Sequence, residues 1–379
     1  MTVLVVNAGS SSLKLSLLGP ADEILAATEV QHWDTEDPPP ALRAFLNALP
    51  RVDAVGHRIV HGGPKLTAAA VLDPAVRREI EAVTDLAPLH QPRALAGIDA
   101  VSALLPGVPE VACFDTAFHA GMPAAAATYA LPAAWRETYG LRRYGFHGLS
   151  HAYASRRAGE LLGRPAARLR IVSCHLGAGA SLAAVQHGQS VDTTMGFTPL
   201  EGLVMATRAG NTDPGLLVWL LQDGRVSLDD LCTGLEQRSG LTGLAGQPDI
   251  RDVLPHAQAG DPASILAIDV YLHRLRQLIA GMAAAMDGLD VLLFTGGVGE
   301  HQPPIRAGAA PSFLGAAIDE QRNQAASSDA DITAPGAAVR TLVITAREDI
   351  EIARQVRAVL REPSANRVAE ATTRSRAHD

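Results

Sequence analysis

Apolar residues concentrate in three segments of the chain, each of which runs into a turn rich in glycine or serine. Val3–Leu18 and Arg170–Val185 each have the pattern of two short strands joined by a polar turn, which in the first segment is Asn7–Ser12. Asp290–His301 is typical of one buried strand followed by a glycine-rich turn. The repeated hairpin predicts an internal duplication, in which each half of the chain builds its own layer of strands and helices.

Helical periodicity occupies the segments between these strands. Apolar residues recur at three and four positions within Ala75–Leu86 and Arg93–Leu105, which predicts two helices. A longer helix is expected after Asp261 and Pro262, because an acidic cap and a first-turn proline favour a helix start. Its apolar stripe predicts core or dimer contact and consists of Ile265, Ile268, Leu272, Leu275, Ile279, Met282 and Met286. A last helix is expected over Asp349–Leu360, before a mobile tail, and the alternation of strands and helices predicts the α/β class.

The size and charge of the chain limit its class. At 379 residues it is longer than a single hydrophobic core usually serves, so two domains are expected. Hydrophobic residues form 47% of the sequence, which is enough for packed cores. The formal net charge of −8 and the pI near 5.9 provide no field that would attract nucleic acid or an anionic membrane. Any anion must therefore be bound by local groups.

Signals for export, membrane insertion and disulfide bonding are weak. The opening MTVLVVNAG has no basic region and only a short apolar run. The longest mostly apolar stretch, Ile265–Phe294, contains several charged residues and is not expected to span a membrane. Cys113, Cys174 and Cys232 are scattered and odd in number, which favours reduced thiols in the core over a disulfide frame or a zinc site. We therefore expect a cytoplasmic protein.

The turn NAGSSSLK has the residue types that bind phosphate. Gly9 allows the backbone to approach an anion, the serine hydroxyls can donate hydrogen bonds, and Lys14 adds a positive charge. The spacing does not match a Walker A loop, and a serine-rich surface hairpin explains the same residues equally well. The glycine loops that begin at Gly177 and Gly296 do not match the GxGxxG pattern, so a nicotinamide-binding domain is poorly supported.

Histidines cluster in three motifs, GHRIVHGG, LAPLHQP and RRYGFHGLSH. The spacing of His147 and His151 could indicate zinc ligands, but Gly148 interrupts the motif and the glutamate of a zincin is missing. Each histidine alone is compatible with a structural hydrogen-bonding role. Asp115 ends the apolar run VACFD, where α/β sheets present functional groups, and Arg208 lies among glycines, where a guanidinium can bind an anion. A strand-end cap and a buried ion pair are their structural alternatives.

Ten motifs occur in the order and approximate spacing of the acetokinase family, which the chain resembles from residue 2 to residue 360. They are NAGSSSLK, GHRIVHGG, LAPLHQP, FDTAFH, RRYGFHGLSH, HLGAGASL, MGFTPLEGL, TRAG, FTGGVGEH and ITAREDIEIA. Several are weak individually, but ten in order are highly specific to that family, which includes propionate and butyrate kinases.

The resemblance implies a fold of two duplicated actin-like, or ribonuclease H-like, domains around a central cleft. The first domain would comprise residues 1–118 and 349–379, and the second, with nucleotide binding and dimerisation, residues 119–348. The implied activity is reversible phosphoryl transfer between ATP and acetate, which gives acetyl phosphate and ADP. Mg²⁺, or Mn²⁺, would be the cofactor, and the protein would be a homodimer without nucleic-acid or membrane partners.

The resemblance also assigns roles to individual residues. The metal would be held by Asn7 and Glu348. The catalytic residues would be Arg58, His90, Asp115, His147 and Arg208. The acid would contact Arg58 and an apolar pocket formed by Val60, Leu89, Phe146 and Pro199. The nucleotide would contact Ser10, Ser12, Lys14, His175, Leu176, Gly177, Ala178, Gly179, Asp249, Ile250, Arg251, Gly297, Val298, Gly299, Glu300 and His301.

This assignment is chemically consistent, because a carboxylate is already ionised at neutral pH and can attack a phosphate in line without a strong general base. Positioning and neutralisation of charge would then dominate catalysis.

Five positions depart from the family's usual pattern, and most of them fall on the nucleotide side. They are Ala178, Ala180, Ala206, His301 and Arg347. GTP or pyrophosphate therefore remains an alternative donor. Propionate or butyrate remains an alternative acid, because a methylene group changes binding by only about 1–3 kcal/mol. A non-catalytic, actin-like nucleotide-binding switch is the alternative from another class of protein.

Overall fold

The computed structural model describes residues 1–9, 12–31, 40–88 and 90–361. These residues form two units, of which the first comprises Met1–Ala117 and the segment that begins at Glu348, and the second comprises Phe118–Arg347. Glu348 thus belongs to the first unit, whereas the sequence analysis put it at the end of the second. The predicted phosphate contact Ser10, the predicted pocket residue Leu89 and the predicted tail after residue 361 lie outside the described residues.

The first unit is built on a sheet with six described strands. Its elements up to residue 117 are β1 (Val3–Ala8), β2 (Ser12–Leu18), β3 (Ile24–Gln31), α1 (Pro40–Ala48), β4 (Ala54–Ile59), β5 (Ala70–Val71), α2 (Pro74–Glu81), α3 (Gln91–Leu104) and β6 (Glu110–Phe114). The strand order is β3-β2-β1-β4-β6-β5. The three strands β1, β4 and β6 run parallel, and every other pairing is antiparallel.

The second unit contains a sheet of the same design. Its elements are α4 (Ala124–Ala127), α5 (Ala133–Tyr139), α6 (Gly148–Leu161), β7 (Arg170–Leu176), β8 (Ala180–Gln186), β9 (Gln189–Thr193), α7 (Pro214–Leu221), α8 (Leu228–Gln237), α9 (Gly240–Ala245), α10 (Ile250–Gln258), α11 (Pro262–Ala285), β10 (Val291–Thr295), α12 (Gly296–His301), α13 (Pro303–Ala309), α14 (Glu320–Ala325), β11 (Ala330–Asp331) and β12 (Arg340–Val343). The strand order is β11-β12-β10-β7-β8-β9. The final helix, α15 (Glu348–Arg361), belongs to the first unit.

The two sheets confirm the predicted α/β class and the predicted duplication. In each unit an antiparallel three-stranded meander is followed by two parallel strands and a short antiparallel edge strand. The central strands β1 and β10 are buried along almost their whole length, as expected for strands covered on both faces. By contrast, the outer strand β3 is mostly exposed. Both predicted hairpins therefore form, although β1 and β2 extend further into the predicted turn, since Asn7 and Ser12 lie in strands.

Two buried clusters lie side by side on one face of the first unit's sheet, against α3. One cluster includes Leu4, Leu15 and Val55, and another includes Ile98 and Phe114. Helix α15 covers the sheet at β4, where it approaches so closely that a side chain on Gly56 would meet Ile352. A Cβ there would lie 2.5 Å from the Ile352 side chain. The returning helix is thus an integral part of the first unit's packing.

The predicted helices are present with small changes in length. Asp261 caps α11, since its carboxylate accepts a hydrogen bond from the backbone N–H of Ser264 at 2.8 Å. The C-terminal part of the predicted stripe is buried, while Ile265 is 41% exposed. Helix α2 ends at Glu81, and a separate 3-10 turn covers Thr84–Leu86, so the single helix predicted over this range is interrupted.

Cysteine burial corrects one expectation. Cys113 and Cys174 are free thiols in the core, as predicted, and burial raises the pKa of both. Cys232 is a free but exposed thiol on α8, so the prediction that it is a core residue was wrong. None of the helices in the described part of the chain combines the length and the apolar character that a membrane-spanning helix needs.

Candidate functional site

The carboxyl ends of three parallel strands in the first unit bring predicted site residues together. Asn7 lies near the end of β1, Arg58 near the end of β4, and Asp115 directly after β6. Glu348 is the first residue of α15. Adjacent parallel strands end at the same edge of a sheet, so residues far apart in sequence meet there.

Arg58 is the centre of this cluster. Its Nη2 donates to Asp115 Oδ2 at 2.6 Å and its Nε to Oδ1 at 3.2 Å, which is a bidentate ion pair. Its Nη1 donates to Asn7 Oδ1 at 3.1 Å, and its Nε lies 3.8 Å from Glu348 Oε2. Asn7 Nδ2 donates to the same Glu348 oxygen at 3.4 Å. The guanidinium is therefore held in one orientation by three side chains.

Burial and charge act in opposite directions on this cluster. Burial alone lowers the pKa of Arg58, but the carboxylates of Asp115 and Glu348 outweigh it, so the pKa is raised above its ordinary value. Burial raises the pKa of the Glu348 carboxyl, although Arg58 opposes this shift. The cluster thus combines a permanent cation with two acidic groups.

The oxygen atoms of this cluster are of the type that Mg²⁺ binds in proteins. Glu348 and Asp115 provide carboxylates and Asn7 an amide. Within the described residues, no group of three or more His, Cys, Asp and Glu side chains could hold a metal ion by itself. A magnesium site here would therefore depend on further oxygen ligands from phosphate or water, which is the usual arrangement for Mg²⁺ in phosphoryl-transfer enzymes.

The first hairpin carries the other predicted phosphate contacts that are described. Lys14 on β2 lies directly opposite Asn7 on β1, so the two side chains share a face of the sheet. The Lys14 side chain is 63% exposed, and its ammonium lies 3.9 Å from Glu29 Oε1. The Ser12 hydroxyl donates to the same oxygen at 2.7 Å. Both predicted contacts therefore interact with Glu29 of β3.

The predicted acid-pocket residues are divided between the units. Val60, which is buried, follows β4 in the first unit. His90, predicted to be catalytic and not part of the pocket, precedes α3 in the same unit. Phe146, which is buried, and Pro199, which is half-buried, belong to the second unit. The grouping of these residues around one acid stays a prediction.

His147 of the second unit is held at its backbone and at its ring. It precedes α6 with a left-handed backbone (φ 55°), which is uncommon for a residue other than glycine. Its Nδ1 lies 2.9 Å from the Ser181 hydroxyl, and its ring stacks on that of His175 with the centroids 4.4 Å apart. These contacts restrict the direction in which the imidazole Nε2 points.

Gly179 brings the turn between β7 and β8 against both His147 and Arg208. A Cβ at this position would lie 3.4 Å from His147 Nε2 and 3.7 Å from Arg208 Nη1. Because Gly179 has no side chain, the His147 imidazole and the Arg208 guanidinium both lie next to its backbone. Burial lowers the pKa of Arg208, with Glu236 opposing the shift. The ordinary arginine pKa is so high that the side chain stays charged at neutral pH.

A cavity of about 490 Å³ in the second unit is lined by many of the predicted nucleotide contacts. The predicted residues that line it are Gly177, Ala178, Asp249, Ile250, Arg251, Gly297, Val298 and His301. The wall is completed by Ala206, Leu241, Pro248, Tyr271 and Gln302, which the sequence analysis did not assign to the nucleotide. The cavity thus gathers residues from six separate stretches of sequence around one space.

Several predicted nucleotide residues have structural contacts instead of lining this cavity. Glu300 Oε1 accepts hydrogen bonds from the backbone N–H groups of Gly296 at 2.9 Å and Ala346 at 3.0 Å. Leu176 is buried, and Gly299 is buried against Phe294. Glu300 and Gly299 thus support the backbone of the loop whose other residues, Gly297, Val298 and His301, line the cavity.

Two residues that support the site were missed by the sequence analysis. Ser181 contacts the ring of His147, and its position directly opposite His175 in the hairpin of β7 and β8 was a usable signal. Arg306 is fully buried and donates to the carbonyl oxygens of Gly299 and Glu300 at 2.9 and 2.7 Å. Nothing in the sequence indicated this, because arginines are mostly exposed.

Comparison with known proteins adds evidence from relatives. The sequence model of the Acetokinase family matches residues 41–354. An acetate kinase from Synechococcus sp. is 44% identical over 397 aligned positions, which cover 93% of this chain and 98% of that protein. One from Gloeobacter violaceus is 50% identical over 308 positions, covering 80% and 76%.

Solved structures show the same similarity. An acetate kinase from Porphyromonas gingivalis has a TM-score of 0.88 and 36% identity, covering 95% of this chain and 100% of that one. A propionate kinase from Francisella tularensis also has a TM-score of 0.88, with 33% identity and coverage of 94% and 99%.

Acidification is expected to destabilise the second unit. Burial lowers the pKa of His119 from 6.5 to about 4. Above pH 6.5 the folded and unfolded chains both hold this histidine neutral. Between pH 6.5 and 4 only the unfolded chain binds the proton. The free energy of unfolding therefore decreases as the pH is lowered through this range, by up to about 3 kcal/mol for this residue. Urea midpoints followed by circular dichroism at pH 7.5, 5.5 and 4.5 measure the effect.

The variant His119→Gln should show a weaker dependence on pH, whereas His273→Gln, which changes an exposed histidine on α11, should retain that of the unmodified chain. Equal pH dependence in both variants would contradict the assignment to His119.

Proposed function

Because the chain belongs to the acetokinase family, we propose that it catalyses reversible transfer of a phosphoryl group between ATP and acetate, with acetyl phosphate and ADP as products. The observation that carries this proposal is the position of Gly179. Its turn lines the nucleotide-sized cavity with Gly177 and Ala178 and also contacts both His147 and Arg208. A phosphate chain that extends from this cavity along the turn would therefore reach two groups able to bind its oxygens.

In the proposed reaction, an oxygen of the acid forms a bond to the γ-phosphorus of ATP while the bond from that phosphorus to the bridging oxygen breaks. The bonding pair leaves with ADP. The acid needs no general base, because it is already ionised at neutral pH. Arg208 and His147 would donate hydrogen bonds to the oxygens of the group in transfer, and Arg58 would bind the acid's carboxylate.

Asp115 and Asn7 have a supporting part in this proposal. Their contacts hold the Arg58 guanidinium in a fixed orientation before any ligand binds, which reduces the entropy that must be lost during the reaction. Asn7 and Glu348 would hold Mg²⁺, which when bound offsets the negative charge of the phosphate oxygens. The oxygen-rich donor set of the cluster fits this ion.

The residues of the cavity wall bear on the choice of donor. Ala178 and His301 both line the cavity, at two positions where the acetokinase pattern that the chain resembles has asparagine. The loss of two amide groups alters the hydrogen bonds offered to a nucleobase or ribose, while the volume of about 490 Å³ suits a nucleotide. Membership of the family and a volume that suits a nucleotide lead us to propose ATP as the donor, with GTP and pyrophosphate as the comparisons that test it.

We also propose that the protein is a homodimer that uses the face of α7. This helix has apolar side chains around its whole circumference, and none of its residues is buried by the described part of the chain. Val218 is 55% and Trp219 50% exposed, and Leu228 at the start of α8 is exposed as well. A helix that is apolar all round is normally covered, so a second copy of the chain would remove this surface from water.

The enzymatic proposal predicts that acetate, ATP and Mg²⁺ yield acetyl phosphate, which hydroxylamine converts to a coloured hydroxamate complex. EDTA should abolish the signal, and added Mg²⁺ or Mn²⁺ should restore it. Rates with propionate, butyrate, GTP and pyrophosphate, measured in parallel, test the choice of acid and donor. Nucleotide binding without acyl phosphate formation would instead support a non-catalytic switch.

Replacement of Arg208 by alanine should lower kcat by about 10³-fold or more, because one cation that faces the transferring group is lost. The fold should survive, since the sulfur of Met205, at 4.0 Å from Nη1, is the main side-chain contact of its guanidinium among the described bonds. Arg238→Ala removes an exposed arginine from the end of α8 and is the matched control. A folded Arg208→Ala variant with normal turnover would contradict the proposed role.

Replacement of Trp219 by aspartate should convert the dimer to a monomer, because a charge would be buried in an apolar interface. Sedimentation equilibrium should give twice the chain mass of 39.6 kDa for the unmodified protein and a single chain mass for the variant. Phe313→Asp changes another exposed aromatic residue of the second unit and should stay dimeric. A monomeric unmodified protein, or dissociation of both variants, would refute the assigned face.

A further inference from the structure

A chain of hydrogen bonds leads from the interior of the second unit to His147. The Ser173 hydroxyl lies 2.8 Å from His151 Nδ1, and His151 Nε2 lies 2.8 Å from the Ser181 hydroxyl. The same hydroxyl lies 2.9 Å from His147 Nδ1. Ser173, His151 and Ser181 are all fully buried. The chain therefore links a catalytic candidate to groups that are closed to solvent.

Local geometry explains why these four residues meet. His147 directly precedes α6, and the backbone N–H of His151 donates to the His147 carbonyl oxygen at 3.0 Å, so the two rings are one turn of chain apart. Ser173 lies on β7 and Ser181 on β8, in neighbouring antiparallel strands. Helix α6 packs on β7, which turns both histidines toward the two serines. The contacts arise from regular elements and are therefore held rigidly.

Counting hydrogens restricts the chain to two arrangements. The Ser181 hydroxyl has one hydrogen and contacts two imidazole nitrogens, so it donates to one and accepts from the other. Burial, with His119 and His175 nearby, lowers the pKa of His151 well below its ordinary value, so this ring is neutral and has a single hydrogen. All three links must then point in the same direction along the chain.

The two directions have different consequences for His147. In the first, Ser173 donates to His151 Nδ1, His151 Nε2–H donates to Ser181, and Ser181 donates to His147 Nδ1. A neutral His147 then has its hydrogen on Nε2, the nitrogen next to Gly179 and Arg208. In the reverse direction the hydrogen is on Nδ1. A phosphoryl oxygen accepts hydrogen bonds only, so a neutral ring is useful to it only in the first arrangement.

We propose that Ser181 and His151 are positioning residues that hold His147 as the Nε2–H tautomer and direct this N–H at the phosphoryl group in transfer. The inference rests on the proposed phosphoryl transfer and specifies how its histidine is prepared. His175 completes the arrangement, because its ring stacks on that of His147 and prevents rotation away from the turn. A fixed tautomer means that no hydrogen has to be rearranged when charge develops on the phosphoryl oxygens.

The kinetic test compares two serine variants. Ser181→Ala should lower kcat for acetyl phosphate formation by about 10- to 100-fold, with KM values within about 2-fold, because loss of a partner that orients an active histidine has effects of this size. Ser181→Thr retains the hydroxyl and should recover most of the activity. The matched control is Ser190→Ala, which removes a buried hydroxyl 2.8 Å from His119 Nδ1, in a pair that does not include His147.

Ser190→Ala should lower the urea midpoint without changing kcat. If Ser181→Ala and Ser190→Ala lower kcat equally at the same folded fraction, the role of Ser181 is only structural and the proposal fails.

The tautomer is measured directly on the unmodified protein. In protein labelled with ¹⁵N-histidine at pH 8, long-range ¹H–¹⁵N spectra distinguish the two ring nitrogens, and the signals missing in His147→Gln identify those of His147. We expect a protonated Nε2 and an unprotonated Nδ1. A hydrogen on Nδ1 would overturn the proposal whatever the variants do.

The spectrum also separates this inference from the proposed function. An unmodified protein that makes no acyl phosphate refutes the function, while the tautomer is still determined. Active protein with an Nδ1–H tautomer refutes only the positioning role.

Discussion

Parallel pairing of the first strand of each meander with the first strand that follows the meander is the constraint on which both units depend. In the first unit, pairing of β1 with β4 and of β4 with β6 brings Asn7, Arg58 and Asp115 to one edge of the sheet. In the second, pairing of β7 with β10 sets His175 opposite Thr295, immediately before the glycines of α12. A register shift of one residue would turn these side chains to the other face, so the chemistry is tied to the backbone hydrogen bonds.

The duplicated scaffold carries different chemistry in its two copies. The first copy has charged groups at its strand ends, with a guanidinium fixed between carboxylates. In the second copy, glycines at the corresponding turns let the backbone itself line the cavity. Histidines and serines form the polar contacts there. Since both sheets have the same order and strand directions, the difference arises from a few residues at the ends of strands.

A protein with a negative net charge can bind anionic ligands only through positively charged or hydrogen-bond-donating groups at the binding site. The net charge of −8 repels phosphate on average, and screening limits that repulsion to short distances. Arg58 and Arg208 are both substantially buried, where a charge interacts more strongly with a ligand than it would on the surface. The two arginines differ in their surroundings, because carboxylates raise the pKa of Arg58 while burial lowers that of Arg208. The positive charge of Arg208 is therefore less neutralised by neighbouring carboxylates than that of Arg58, and more of it is available to an incoming anion.

The sequence alone determined the α/β class, both hairpins, the start of α11 at Asp261 and the family, because these features depend on local periodicity, capping and the order of short motifs. It also named the residues of the Arg58 cluster, through the resemblance. Only the tertiary structure decided that α2 stops at Glu81, that Cys232 is exposed and that Arg306 is fully buried. The contacts of Ser181 with His147 and His151 likewise join a strand to a helix some 30 residues away. Such contacts depend on how elements pack in space, and the pattern of apolar and polar residues along a chain specifies which face is buried but not which side chains meet there.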